Sequence, residues 1–385
     1  MVARPLTVIQ MLPDLESGGV ERGTLEIGRF LASDGHKSMV ISAGGRLTPQ
    51  LEDEGSTHIR WRVGEKSPRC LRYIIPLRNL MLREKVDILH LRSRLPAWIG
   101  YLAWKNIPRH QRPALITTFH GFYSVNLYSS VMARGEKVIA VSKAIARHLR
   151  ERYALSDDRI VLIYRGVDEY LFNPLAINHN KIDTLRVRWG IGDNQVPIIM
   201  LPGRITRLKG HDLFIESLAR IRDTPWLAVC TGDTEANRSL TRRLTKKIAH
   251  LKLTDRIKLV GHCDDMPTAF MLADVVVAAS VKPESYGRVA VEAQAMGKPV
   301  VACAHGGIVE TISDRQTGWL VKPDNIAEMA NALREAVVNT SLREQIGSRA
   351  REWVKSQFSI RKMCQSTLNL YLELASAQRG QKNGR

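Results

Sequence analysis

The chain is poor in cysteine, in aromatic residues and in long apolar runs, and each shortage narrows what it can be. Its five cysteines, Cys70, Cys230, Cys263, Cys303 and Cys364, are odd in number, and none stands at CxxC spacing. That argues against a disulfide framework or a zinc site and fits a reducing cytoplasm. No stretch approaches the roughly 18 consecutive apolar residues of a spanning helix, so none is expected. The segment Arg4-Pro5-Leu6-Thr7-Val8-Ile9-Gln10-Met11-Leu12 reads as a first strand and not as the apolar core of a signal peptide. Aromatic residues make up 6% of the chain and do not interleave with the basic ones. A nucleic-acid stacking platform is therefore unsupported, although the charge alone would allow one.

Positive charge is abundant. The formal net charge is +19, and residues 51–150 hold 18 Lys or Arg against 7 Asp or Glu, a net of +11. Such an excess suits nucleic acid, an anionic membrane surface, or simply a basic solvated face. The length of 385 residues favours two or more domains. Short β-branched runs alternate with helical stretches throughout. Strands are expected at 6–12, 37–42, 86–90, 114–119, 137–141 and 160–163. A second set is expected at 197–201, 226–230, 256–260, 274–279, 299–302 and 318–321. This alternation predicts an α/β fold with parallel sheets and crossover helices, one doubly wound domain in each half. The weakly patterned stretch 173–194 separates them. The boundaries expected are 1–175, 176–360, a last helix at 361–377 and a polar tail at 378–385. Ligands of such sheets bind outside the carboxyl ends of the strands, so residues there matter most.

Four such places carry chemistry. Ser17-Gly18-Gly19-Val20-Glu21-Arg22 follows the first strand and opens a helix. Its glycines admit a close ligand at a helix N-terminus, or simply make a tight turn. Gly203-Arg204-Ile205-Thr206-Arg207-Leu208-Lys209-Gly210 crowds cations into one strand-end loop, a chemistry suited to a diphosphate. His120 ends the strand 114–119. Glu284 and Glu292 flank the start of a helix of small and apolar residues after the strand 274–279. Both carboxylates lie along one helix start and not across a cleft, so they read as acceptors for ligand hydroxyls more than as an acid/base couple.

Together, Glu-x7-Glu, a strand-end Gly-Arg-x4-Lys-Gly, the Gly-Gly loop and the strand-end His resemble the retaining family-4 glycosyltransferases (glycosyl transferases group 1). Val141-Ser142-Lys143-Ala144, Gly166-Val167-Asp168, Gly306-Gly307 with Glu310, and Thr317-Gly318-Trp319-Leu320-Val321 agree in order. The resemblance implies a GT-B fold, two Rossmann-like doubly wound domains facing a central cleft. The first domain would take the acceptor and the second the nucleotide-sugar. It implies that Arg204 and Lys209, with Gly203, bind the donor diphosphate. Glu284 would accept donor-sugar hydroxyls, helped by the amides of Ser285, Tyr286 and Gly287, and Glu292 would bind the ribose. His120 would face the reacting centre, Gly18 and Gly19 the phosphate and acceptor, and His262 the base. The last helix would return to the first domain.

Two positions depart from the family pattern. Arg165 stands where Asn usually precedes Gly-Val-Asp, and Gly121 follows His120 where Asp is common. Asp-x-Asp does not occur, and Asp157-Asp158 and Asp264-Asp265 are adjacent pairs that would point apart if extended. No metal or other cofactor is therefore expected. Charge on the leaving nucleotide would be met by cations and helix N–H groups. The expected activity is hexosyl transfer with retained configuration to a glycan or lipid-linked acceptor, in lipopolysaccharide or other cell-envelope synthesis. The alternatives are a nucleotide-sugar epimerase of the same architecture, whose acid/base residues are not evident, and a basic nucleic-acid-binding protein.

The basic segment 69–83 interleaves Arg69, Arg72, Arg78 and Arg83 with apolar residues, and Pro76 interrupts it. It either lies on an anionic cytoplasmic leaflet with its arginines reaching head groups, or packs as a core helix with a basic outer face. A cytoplasmic protein, peripheral on the inner membrane face, is one expectation.

Overall fold

The computed structural model describes residues 4–16, 18–192 and 196–383, so Ser17 of the first glycine loop lies outside the described residues. Strands form at β1 (Thr7–Met11), β2 (Lys37–Ser42), β3 (Thr57–Arg60), β4 (Ile88–Leu91), β5 (Ala114–Phe119), β6 (Lys137–Ala140) and β7 (Ile160–Leu162). They continue with β8 (Ile198–Pro202), β9 (Leu227–Thr231), β10 (Ile257–Leu259), β11 (Val275–Ala278), β12 (Val300–Cys303) and β13 (Gly318–Val321). The chain divides into two compact units, Met1–Arg165 with Arg361–Arg385, and Gly166–Ile360. The division thus falls at 165/166, ahead of the expected 175/176.

Among the described residues the first unit holds a sheet in the order β3-β2-β1-β4-β5-β6-β7 and the second a sheet in the order β10-β9-β8-β11-β12-β13. All strand pairings are parallel. The sequence dictates this: central strands such as Ile198-Ile199-Met200-Leu201 are apolar at every position and buried on both faces. That suits a parallel sheet covered by helices. In each sheet the strand order reverses once, between β1 and β4 and between β8 and β11. Within each unit, the carboxyl ends of its own two strands mark the crevice where an open α/β sheet binds ligands.

Several helices begin at side-chain caps. Ser142 accepts from the Ile145 amide at 3.1 Å, and Asn237 caps the helix Arg238–His250. Buried Arg343 donates to the carbonyls of Ala336 and Val337, satisfying the end of the helix Ile326–Val338. The last helix runs Ile360–Asn383, so the polar stretch expected as a tail from 378 continues it. It docks on the first unit's sheet: the Tyr371 hydroxyl meets His90 Nδ1 at 2.6 Å, and Arg379 donates to Asp87 at 2.8 Å.

Segment 69–83 is two pieces, a 3-10 turn Pro68–Tyr73 and a helix Ile74–Arg83, with Pro76 in the helix's first turn where it removes no bond. Leu77, Leu80 and Met81 are core, as in the packed-helix reading. Yet Leu71 and Ile75 are 51% and 57% exposed beside exposed Arg69 and Arg72. Among the described residues no helix is long and apolar enough to cross a membrane.

Candidate active site

The second unit builds its site at the β8/β11 reversal. After β8, residues 203–210 form a loop with one 3-10 turn, Arg207–Lys209, before the helix His211–Ala219. Gly210 closes this loop at φ +70°, and an added Cβ would lie 1.8 Å from the Ala279 carbonyl oxygen. Only glycine permits so close an approach to the end of β11. The approach brings Lys209 to Glu284: Nζ stands 2.6 Å from Oε1. Ser280 Oγ donates to the same oxygen.

His305, just past β12, donates from Nε2 to the Ser280 carbonyl at 2.5 Å. The Gly307 amide donates to the Glu284 carbonyl at 2.7 Å, tying the loop before the helix Arg288–Ala295 to the end of β12. Burial works to raise the Glu284 carboxyl. The Lys209 ammonium, the Ser280 hydroxyl and nearby His305 outweigh it, so the group sits below the ordinary carboxylate range.

Each residue named from sequence can now be located. Gly203 follows β8 and lies against the Lys209 stem. Arg204 is exposed, and among the described residues its side chain makes no hydrogen bond or ion pair. Ser285 and Gly287 precede the helix Arg288–Ala295, Gly287 as its left-handed N-cap. The Tyr286 ring is buried against Phe358, with centroids 6.1 Å apart. Glu292 is buried and accepts from Arg288 Nε at 2.6 Å. His262, in the loop after β10, is exposed and pairs with Asp264 at 3.0 Å. Sequence reasoning missed Ser280 and His305. Both sit two residues beyond a strand's carboxyl end, a signal that could have found them.

The first unit builds its counterpart at the β1/β4 reversal. Gly18 and Gly19 follow β1 at the start of the helix Gly19–Ser33, Arg92 follows β4, and His120 follows β5. His120 Nδ1 lies 3.2 Å from Arg165 Nη1, and Arg165 Nη2 donates to the Gly19 carbonyl. Buried Arg92 donates to Gln10 at 2.9 Å. Burial, then the Arg92 and Arg165 guanidiniums, hold the His120 imidazole well below its ordinary value, so it is neutral at physiological pH.

A cavity of about 610 Å³ also opens at the opposite, amino ends of β8, β9 and β10, lined in part by Trp226, Arg256 and Lys258. Arg256 stacks on Trp226 at 3.7 Å and donates to the carbonyls of Arg222 and Thr224. Its cationic donors are thus spent on the fold.

Two parallel-sheet units with their polar residues at the strand reversals are the architecture of GT-B glycosyltransferases. Comparison with known proteins agrees. Residues 182–353 match the model of glycosyl transferases group 1 and residues 17–170 that of glycosyltransferase family 4. The crystal structure of a glycosyltransferase from Rickettsia africae ESF-5 is 35% identical with a TM-score of 0.88, covering 97% of this chain and 99% of that one. The D-inositol 3-phosphate glycosyltransferase of Salinispora arenicola (strain CNS-205) is 32% identical over 257 residues, 64% of this chain, and the match spans 57% of that relative's length. The structure of Anabaena Alr3699/HepE in complex with UDP-glucose shares the fold at 22% identity, with a TM-score of 0.80 over 97% of this chain and 100% of that one. The chain belongs to the group 1, family-4 glycosyltransferases.

Proposed function

We propose that the chain is a retaining glycosyltransferase that binds a nucleotide-sugar donor at the residues around Lys209 and Glu284. A hexosyl unit then passes to a glycan or lipid-linked acceptor of the cell envelope. The observation that carries this is the Lys209–Glu284 contact at the β8/β11 reversal, 2.6 Å long and reinforced by Ser280. A carboxylate kept ionised there accepts sugar hydroxyls. An ammonium has three N–H donors, so Lys209 can keep one bond to Glu284 and offer the others to a diphosphate. Exposed Arg204, with no partner of its own among the described residues, supplies a bidentate cation to the same group. Buried Glu292 is a second carboxylate on the adjoining helix, suited to ribose hydroxyls. The fold neighbour from Anabaena holds UDP-glucose, which favours a nucleotide-sugar for this chain too.

Transfer with retention fits front-face substitution. The anomeric C–O bond breaks, and its electron pair leaves on the diphosphate. The acceptor oxygen bonds the carbon on the same face, and its proton passes to the departing phosphate oxygen. Lys209 and Arg204 stabilise the charge that develops there. Calorimetric titration with UDP-, GDP- and ADP-sugars tests the donor site. One should bind, and Lys209→Met should weaken it at least about 10-fold, roughly 1.4 kcal/mol. Absence of binding to all three, or unchanged binding by the variant, contradicts the reading.

The acceptor side of the proposal rests on the first unit. Its basic surface suits an anionic acceptor or membrane, and the Salinispora relative is named for D-inositol 3-phosphate, a phosphate-bearing polyol. Exposed Leu71 and Ile75 between arginines suit attachment to an anionic leaflet. Co-sedimentation with phosphatidylglycerol-rich liposomes should fall with salt, and again in a Leu71→Ser/Ile75→Ser variant. No binding even at low salt counts against the attachment.

A further inference from the structure

We infer that Arg165 is a positioning residue that holds His120 as a neutral imidazole with its proton on Nε2, and fixes the Gly18-Gly19 loop beside it. The inference rests on the glycosyltransferase reading above for its purpose, but not for its geometry.

A guanidinium has donors and no acceptor. Arg165 Nη1 lies 3.2 Å from His120 Nδ1, so Nδ1 must be the ring's lone-pair nitrogen. In a neutral ring the proton is then on Nε2. That nitrogen is buried and has no hydrogen-bond partner among the described residues. A buried N–H without a partner is costly. It therefore reads as a donor kept for a ligand oxygen, and not as a base. The surroundings agree, since burial and the nearby Arg92, Arg165 and His90 all oppose protonation of the ring. An imidazole so placed offers a hydrogen bond to a hydroxyl or developing oxyanion and does not compete for its proton.

The same guanidinium donates from Nη2 to the Gly19 carbonyl, so one side chain spans the end of β5 and the start of the first helix. Its seat depends on Gly23. A Cβ there would stand 2.5 Å from Arg165 Nη2 and 3.1 Å from Arg92 Nη2. Through these two contacts Arg165 couples His120 to the glycine loop.

Long-range proton–nitrogen correlation NMR on full-length protein with labelled histidine tests this, the His120 signals being identified by their loss in His120→Asn. The wild type should show the neutral ring with bare Nδ1 and protonated Nε2. In Arg165→Met, and independently in Gly23→Ala, which displaces the guanidinium without removing it, that pattern should give way to mixed tautomers. In transfer assays Arg165→Met should lower kcat about 10- to 100-fold while KM stays within about 3-fold, the mark of misplacement and not of lost binding. Arg165→Lys, which keeps one donor for Nδ1, should restore part of the NMR pattern. A proton on Nδ1 in the wild type, or an unaltered pattern in both Arg165→Met and Gly23→Ala, overturns the inference. The NMR readout stands even if no donor is turned over, so failure of the glycosyltransferase reading remains distinguishable from failure of this one.

Discussion

Removing the charge from Glu284 should cost the second unit measurable stability, and the cost should depend on Lys209. The two side chains are 24% and 25% exposed and 2.6 Å apart. Fully exposed pairs contribute about 0.2–1 kcal/mol, and breaking a fully buried one costs about 3–5 kcal/mol. A pair three-quarters buried falls between, at roughly 2 kcal/mol of coupling. For a domain of this size that is a drop of about 4–8 °C in Tm. The assay is a double-mutant cycle of Glu284→Gln and Lys209→Met, followed by thermal and urea unfolding at pH 7.

The pH dependence has a defined sign. The folded-state pKa of Glu284 lies below its ordinary 4.5, because Lys209 and Ser280 outweigh burial. Its contribution is therefore fully present above 4.5 and is lost as pH falls through the depressed folded value. The stability gap between wild type and Glu284→Gln should be flat near neutrality and shrink in acid. Additive single-mutant effects, within about 0.5 kcal/mol, would refute the coupling. So would a gap that widens as pH falls.

Three further outcomes are expected. Gly210→Ala should destabilise by at least about 2 kcal/mol and weaken donor binding, because its Cβ cannot share space with the Ala279 carbonyl; unfolding curves and titration calorimetry read both. Tyr371→Phe should cost about 1–3 kcal/mol by leaving buried His90 Nδ1 without its 2.6 Å partner, as measured by urea unfolding. In thiol labelling of the native protein, half-buried Cys263 should react first. Burial pushes the Cys230, Cys303 and Cys364 thiols up to about 12, so these should wait for unfolding, as mass spectrometry of the labelled sites would show.

Most of the fold is legible because parallel strands announce themselves as apolar β-branched runs. What escapes is what lacks that mark. Strand β3, Thr-His-Ile-Arg, is a half-exposed edge with one apolar residue. The helix Arg94–Lys105 is masked by Pro96, which sits harmlessly in its first turn. The helix His179–Arg188, inside the stretch expected to be weakly patterned, has no apolar stripe and buries Leu185. At the site, Lys209 and Glu284 are legible because each follows a strand in a glycine-marked loop. Their direct contact is not, since it depends on Gly210 pressing against Ala279 just past β11, 69 residues further along the chain. Arg165 is visible in sequence as a departure from the family pattern. Its bonds to His120 and Gly19, the latter 146 positions away, exist only in the folded unit.

The most direct test of the donor site is product analysis. Wild type and Glu284→Ala are incubated with the nucleotide-sugar that binds, and the released or transferred sugar is followed by proton NMR at its anomeric carbon. The account predicts that wild type consumes the donor and gives product with the donor's anomeric configuration. Glu284→Ala, still folded by circular dichroism, should be slower by about 100-fold or more. Full activity in Glu284→Ala, or inverted configuration in the wild-type product, would contradict it.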